Sequence, residues 1–117
     1  HWRSGMTKKQ KDILVKDRQK IDRPKKYKVV LYNDDYTPMD LVTLILTEVF
    51  KKGSQEAYSI MMRVHKGGRG IAGVYSKQIA EVKVSSTKMF AREQGYPLHA
   101  EAEPEWRIRL LWVLAEN

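Results

Sequence analysis

The sequence contains no cysteine, which excludes disulfide bridges, thiolate zinc sites and cysteine nucleophiles. It also lacks any apolar run near the roughly 20 residues that span a bilayer, and its start lacks an apolar signal-peptide core. We therefore predict a cytoplasmic protein without a membrane segment. A chain of 117 residues, 42% of them hydrophobic, is expected to form a single globular domain flanked by tails.

The positive charge of the chain is concentrated at one end. The net charge is +8, and residues 1–26 hold ten Lys or Arg against three Asp, which places +7 there and +1 on residues 27–117. We interpret residues 1–26 as a basic, flexible tail, since so polar a segment buries too little surface to offset its ordering entropy. Its first five residues resemble a cloning remnant. The alternative suggested by the charge, a small basic nucleic-acid-binding protein, requires that charge on the folded surface.

The folded part is predicted to begin with a half-buried strand and a helix. Apolar and polar residues alternate over residues 27–32 as in such a strand. Thr37 is predicted to cap the following helix, with Pro38 at its first position and Asp40 completing a capping box. Gly53 is predicted to supply the left-handed residue that ends this helix.

Further elements follow at regular intervals. Ser54 is predicted to cap a second helix that Gly67 and Gly68 close, with an inward face of Ala57, Ile60, Met61 and Val64. A strand over residues 70–75 precedes a third helix from Ser76 to about Gln94, whose predicted buried stripe is Ile79, Val82, Ser86, Met89 and Phe90. After Pro97, alternation predicts a third strand that contains Leu98, Ala100 and Ala102.

This order of elements predicts an α+β protein. The sequence strand, helix, helix, strand, helix, strand is typical of a small single-domain α/β sandwich, with three helices packed on one face of a three-stranded antiparallel sheet. We assign the core domain to residues 27–105. Residues 106–117 form an extension that alternates like an amphipathic strand but is also long enough for a helix; it would need a partner surface, or it is vector-derived.

The cluster Asn33-Asp34-Asp35 lies between the first strand and the first helix. Such residues usually form turns by bonding nearby backbone N–H groups, yet three in a row exceed what one turn needs. Adjacent side chains diverge, so the two carboxylates are poorly placed as a paired general acid and base. Together with His65 they supply an amide oxygen, two carboxylates and a neutral imidazole nitrogen as acceptors, which suits an ammonium ligand such as a free α-amino group, since that cation offers only donors.

Apolar side chains could complete a pocket beside this cluster. Met39 and Val42 begin the helix after the acidic loop, while Met61 and His65 share one face of the next helix. If the two helices lie together, a pocket opens between them; otherwise the methionines simply fill the core. A third interpretation, a metal-assisted hydrolase using Asp34, Asp35 and His65, has too few ligands to be favoured, and we predict no metal, cofactor or catalytic residue.

Four segments in order carry a resemblance to a known family. YKVVLYNDDYTPMD, IMMRVHKGG, GVYSKQIAEVKV and MFAREQGYPLHAEAEPE resemble the ClpS family over about residues 27–105. Members of that family are non-catalytic adaptors that deliver proteins with a destabilising N-terminal residue to the ClpA–ClpP protease. The resemblance implies a monomer that binds N-degron peptides with a bulky N-terminal Leu, Phe, Tyr or Trp and a ClpA-type AAA+ unfoldase, with no nucleic acid and no membrane.

The resemblance also implies roles for individual residues. Asn33 and His65 would contact the α-ammonium group, Asp35 would do so through water, and Asp34 would accept the N–H of the next peptide residue. The side-chain pocket would be lined by Thr37, Met39, Val42, Met61, Val64 and Leu98. Met39 would act as a gate that excludes side chains branched at Cβ.

A separate surface is implied for the unfoldase. It would contain Tyr36, Gln78 and Lys83, although the family often has Glu where this chain has Gln78. The turn over residues 66–69, Lys-Gly-Gly-Arg, also departs from the aromatic-Gln-Gly-Lys type that is usual in the family.

Overall fold

The computed structural model describes residues 25–105. Its elements follow the predicted order: β1 (Lys26–Tyr32), α1 (Met39–Glu48), α2 (Ser54–Gly67), β2 (Arg69–Ser76), α3 (Lys77–Glu93) and β3 (His99–Pro104). The predicted flexible tail, apart from its last two residues, and the predicted C-terminal extension lie outside the described residues. The first strand begins one residue earlier than predicted.

The three strands form one antiparallel sheet in the order β2-β1-β3. The register between β1 and β2 shifts between Val29 and Val30, where β2 carries a bulge. Val29, Val30 and Leu31 are each at most 1% exposed, so the prediction of a half-buried strand is wrong. The reason is topological: β1 is central, and on the outer face Val30 lies between its partners Ile71 and Glu101.

The helices pack on one face of this sheet. The described strands contribute Val29, Leu31, Ala72 and Ala100 to the hydrophobic core. The predicted inward face of α2 is confirmed, because its four members are at most 4% exposed: Ala57, Ile60, Met61 and Val64. Since α1 and α2 contact each other above the sheet, a cleft between them opens next to the end of β1.

The first helix does not begin as predicted. Pro38, in extended conformation, precedes α1 and no side chain caps it. Thr37 is not the cap: its hydroxyl donates to Asp34 Oδ2 at 2.8 Å, and its N–H donates to Asp34 Oδ1 at 2.7 Å. The N–H that a capping box would direct to Asp40 is therefore used by the acidic loop.

The junction between α1 and α2 also differs from the prediction. Lys51, with φ of 56°, is the left-handed residue, and the N–H of Lys52 donates to the Leu46 carbonyl at 3.0 Å. Gly53 instead has φ of −69° and precedes α2 as its cap, a role predicted for Ser54. The left-handed turn falls on a lysine here although glycine adopts it more readily, so sequence alone misplaces it.

The third helix begins as predicted, but it buries a different face from the predicted one. Ser76 caps it by accepting the Ile79 N–H at 3.4 Å. The predicted buried stripe is wrong, since Ile79, Val82 and Met89 are 47%, 59% and 60% exposed. The fully buried positions of α3 are Ala80, Thr87 and Ala91. Small side chains face the sheet because α3 crosses all three strands closely, which leaves little room for larger ones.

Candidate functional site

A cavity of about 450 Å³ opens between the acidic loop, the first turn of α1 and the last two turns of α2. It brings together nearly all of the residues that the sequence singled out. The lining residues are Asn33, Asp34, Asp35, Tyr36, Thr37, Pro38, Met39, Val42, Met61, Val64 and His65.

Two hydrogen bonds fix Asn33 at the inner edge of the acidic loop. Its backbone N–H donates to the Gly68 carbonyl at 2.8 Å, and its side-chain Nδ2 donates to the His65 carbonyl at 3.3 Å. The left-handed Gly68, with φ of 88°, turns the end of α2 toward β1 and makes this approach possible. The Asn33 side chain thus uses one of its N–H donors on α2. Its Oδ1 remains as an acceptor close to His65.

Asp34 organises the acidic loop from within. Its Oδ1 accepts the N–H groups of Tyr36 at 2.8 Å and Thr37 at 2.7 Å, while its Oδ2 accepts the Thr37 hydroxyl. Partial burial alone would raise the pKa of Asp34. These hydrogen bonds, helped by the charge of Arg92, outweigh burial and hold the pKa below its ordinary value. Asp34 therefore stays ionised and holds Tyr36 and Thr37 in a tight turn.

The opposite wall of the cavity is apolar. Val42, Met61 and Val64 are at most 5% exposed and also belong to the hydrophobic core. Met39 opens α1 at the mouth of the cavity and remains 46% exposed. The cavity therefore combines acceptor atoms on one side with a buried apolar wall on the other, and the flexible Met39 side chain stands at its rim.

Leu98 is the one predicted pocket residue that does not line this cavity. It is 1% exposed and lies in the hydrophobic core, just before β3. Arg92 anchors this segment, because its Nη1 donates to the carbonyls of Tyr96 at 3.0 Å and Leu98 at 2.9 Å. Sequence reasoning missed Pro38 as a lining residue and Arg92 as an anchor.

The three residues predicted to contact an unfoldase lie on two elements. Tyr36 is 74% exposed at the cavity mouth, and Gln78 is exposed in the first turn of α3. Lys83 has a structural contact, since its Nζ donates to the Val49 carbonyl at 2.7 Å and lies 5.8 Å from the centroid of the Tyr75 ring. This bond ties α3 to the end of α1.

Residues 25–105 also bear on metal binding and on membranes. No group of three or more His, Cys, Asp or Glu side chains there is placed to hold a metal ion, so the metal-assisted alternative finds no ligand set in this part of the chain. None of the helices in the same range is long and apolar enough to cross a bilayer.

Comparison with known proteins places the chain in a family. The family model for the ATP-dependent Clp protease adaptor protein ClpS matches residues 22–101. The adapter protein ClpS of Lawsonia intracellularis is 52% identical over 80 residues, which cover 68% of this chain and 73% of the relative. That of Bdellovibrio bacteriovorus is 52% identical over 86 residues, 74% of this chain and 75% of the relative.

A solved structure agrees with these relatives. Agrobacterium tumefaciens ClpS2 bound to L-phenylalaninamide shares 41% sequence identity and superimposes with a TM-score of 0.69, covering 71% of this chain and all of that one. The chain belongs to the ClpS family of ATP-dependent Clp protease adaptors.

Proposed function

We propose that the cavity binds the N-terminal residue of a polypeptide and that the chain thereby selects substrates for a Clp protease. The ligand's α-ammonium group lies against Asn33 and His65, with Asp35 contacting it through water. Its bulky side chain, that of Leu, Phe, Tyr or Trp, lies against the apolar wall. L-Phenylalaninamide, the ligand of the related ClpS2, has the same two features, a free α-amino group and a large apolar side chain.

The observation that carries this proposal is the orientation of the Asn33 amide. Because its Nδ2 donates to the His65 carbonyl, its acceptor oxygen is left for a ligand. An ammonium group offers only donors and needs such acceptors. Three protein donors already occupy the Asp34 carboxylate, which has about four acceptor directions, so one remains for the N–H of the second peptide residue.

We further propose that the captured polypeptide is delivered to a ClpA-type AAA+ unfoldase through a surface that includes Tyr36, Gln78 and Lys83. Tyr36 and Gln78 are exposed and free to meet a partner. Binding measurements with purified unfoldase and the variants Tyr36→Ala and Gln78→Ala test this step. A loss of unfoldase binding in both variants supports it, and peptide affinity should stay unchanged in Gln78→Ala, since only Tyr36 of the two also lines the cavity. Unchanged unfoldase binding by both variants contradicts it.

Fluorescence anisotropy with a labelled peptide that begins with Phe tests the cavity directly. We expect micromolar affinity, about −8 kcal/mol, because the buried side chain and the charge-assisted hydrogen bonds are partly offset by association entropy. Acetylation of the peptide's α-amino group should abolish binding. Equal retention of free and acetylated peptides would contradict the proposal.

A pair of histidine variants tests the role of His65 on α2. His65→Ala should weaken binding about tenfold or more, since it removes a charge-assisted acceptor. His99→Ala is the matched control, because His99 is also exposed but lies on the outer face of the sheet beside Tyr32. If both variants bind the peptide as the parent chain does, His65 has no part in the site.

A further inference from the structure

A second concavity lies on the far side of α2 from the cavity. It is an open groove of about 700 Å³, and Tyr58, Met62 and Lys66 line it at intervals of four residues, along one face of the helix. Tyr58 is 58% exposed, and Met62 is partly buried against the core. The groove therefore has an apolar floor that no other described element covers.

Cations surround this apolar floor. Arg63 and Lys66 come from α2 and Arg69 from the start of β2, and no carboxylate lines the groove. Among residues 25–105, neither Arg63 nor Lys66 forms an ion pair. Arg69 Nη1 lies 4.0 Å from Glu103 Oε1, at the distance limit of an ion pair. Three positive charges beside an exposed aromatic ring and a methionine are complementary to a ligand that is both acidic and apolar.

The charge of this groove argues against the chain's own tails as its occupant. Residues 1–26 carry +7, and the C-terminal residues 106–117 contain two arginines and one glutamate, so both would be repelled. A nucleic acid fits poorly as well. Residues 27–117 together carry only +1, and Glu103 lies 4.0 Å from Arg69, whereas a polyphosphate chain needs an extended positive surface.

We propose that this groove docks an acidic segment of a partner protein. An apolar side chain of the segment packs on Tyr58 and Met62, and flanking carboxylates meet Arg63 and Lys66. Arginine binds carboxylates in a bidentate manner, which fixes the direction of the segment along α2. Because α2 separates the groove from the cavity, both sites can be occupied at once.

An acetylated peptide separates this proposal from the function of the cavity. The probe is a fluorescein-labelled, N-acetylated peptide of Asp and Glu with one central Leu, which lacks the α-amino group that the cavity requires. We expect anisotropy to report binding that persists in saturating L-phenylalaninamide and weakens as salt is added. Replacing the central Leu with Ser should weaken binding several-fold, about the value of one exposed apolar contact.

Charge-reversal variants locate the binding surface. Arg63→Glu combined with Lys66→Glu should weaken probe binding about tenfold or more. The matched control reverses two exposed lysines elsewhere, Lys51→Glu and Lys77→Glu, and should retain most of the affinity. All four side chains are exposed, and circular dichroism verifies that each variant is folded.

Three results would overturn the proposal. The first is equal loss of probe binding in both double variants, which would indicate unspecific attraction by net charge. The second is equal affinity for the Leu and Ser probes, which would remove the apolar floor from the site. The third is binding of a uridine oligonucleotide with the same dependence on Arg63 and Lys66 and higher affinity than the acidic probe, which would assign the groove to nucleic acid.

Discussion

At the scale of single residues, Asp34 shows how one carboxylate builds the site before any ligand arrives. The sequence alone left two interpretations of the acidic cluster, a turn and a ligand site. The structure supports the first for Asp34, which bonds Tyr36 and Thr37, while Asn33 and Asp35 are exposed and line the cavity. The two interpretations are therefore compatible, since the turn holds the lining residues in position.

The low pKa of Asp34 predicts a pH-dependent contribution to stability. A carboxyl group with a folded pKa below its unfolded value of 3.8 stabilises the protein fully above that value, and this stabilisation is lost as pH falls through the folded pKa. Asp34→Asn should lower the free energy of unfolding by about 1–2 kcal/mol near neutral pH. Urea unfolding at a series of pH values should show the difference shrinking in acid, and a constant difference would contradict the assigned cause.

Met39 gives a second residue-scale prediction, on ligand selectivity. Its side chain stands at the mouth of the cavity. We propose that it is a gate with which a ligand branched at Cβ collides, while a Leu branch, one carbon farther out, passes. Met39→Ala should narrow the preference for Leu-terminated over Ile-terminated peptides from about tenfold or more to about threefold or less.

A methionine on another helix provides the control for this selectivity. Met89→Ala changes a residue that is 60% exposed on α3, away from the cavity, and should leave the preference unchanged. Affinities of both variants for the two peptides, measured by anisotropy, decide the matter. Unchanged discrimination in Met39→Ala would mean that another residue forms the gate.

At the scale of elements, the sequence predicts the order and type of all six helices and strands within residues 25–105, but not which face each helix buries. The inward face of α2 follows from its apolar spacing and is confirmed. The corresponding inference fails for α3, where the buried positions include Thr87 and two alanines while Ile79 and Val82 face outward. Helical periodicity shows on which face of a helix the apolar residues align. Close packing against a sheet can nevertheless bury a different face, one with smaller side chains.

The same limit applies to the site. Most of the lining residues were predicted from the sequence, because they lie in the acidic loop and on two helix faces that residue spacing reveals. It could not locate Arg92, whose contacts are with the backbone carbonyls of Tyr96 and Leu98 rather than with any motif. Which backbone carbonyls an arginine can reach depends on the path of the main chain, and a pattern of residue types does not specify that path.

Thr87 provides the element-scale prediction. It is fully buried on the inner face of α3, and its Oγ1 has no hydrogen-bond partner. Thr87→Val replaces the unsatisfied hydroxyl with a methyl group of similar size and should raise the free energy of unfolding by about 1–2 kcal/mol. Chemical denaturation measures the change, and the reverse substitution Val82→Thr, at a position 59% exposed, should stay within about 0.5 kcal/mol. Destabilisation by Thr87→Val would indicate that the hydroxyl has a partner in solution.

At the scale of the whole molecule, the apolar wall of the cavity is part of the hydrophobic core. Val42, Met61 and Val64 belong to both, so the pocket is held in shape by the same packing that stabilises the fold. Such a wall is rigid before a ligand arrives, which reduces the entropy cost of binding. It also means that a substitution in the wall changes stability and affinity together.

Two buried valines separate these effects. Val64, 2% exposed, lines the cavity, whereas Val30, 1% exposed, lies on the opposite face of the sheet and outside the core cluster. Val64→Ala and Val30→Ala remove the same atoms, so each should lower the free energy of unfolding by about 1–3 kcal/mol. Only Val64→Ala should also weaken binding of a Leu-terminated peptide, by about threefold to tenfold, because it alone removes a contact with the ligand's side chain.

Chemical denaturation and peptide anisotropy, measured on both valine variants, test this prediction. Equal affinity losses would mean that binding depends on global stability rather than on the wall, and the cavity would lose its role as the side-chain pocket.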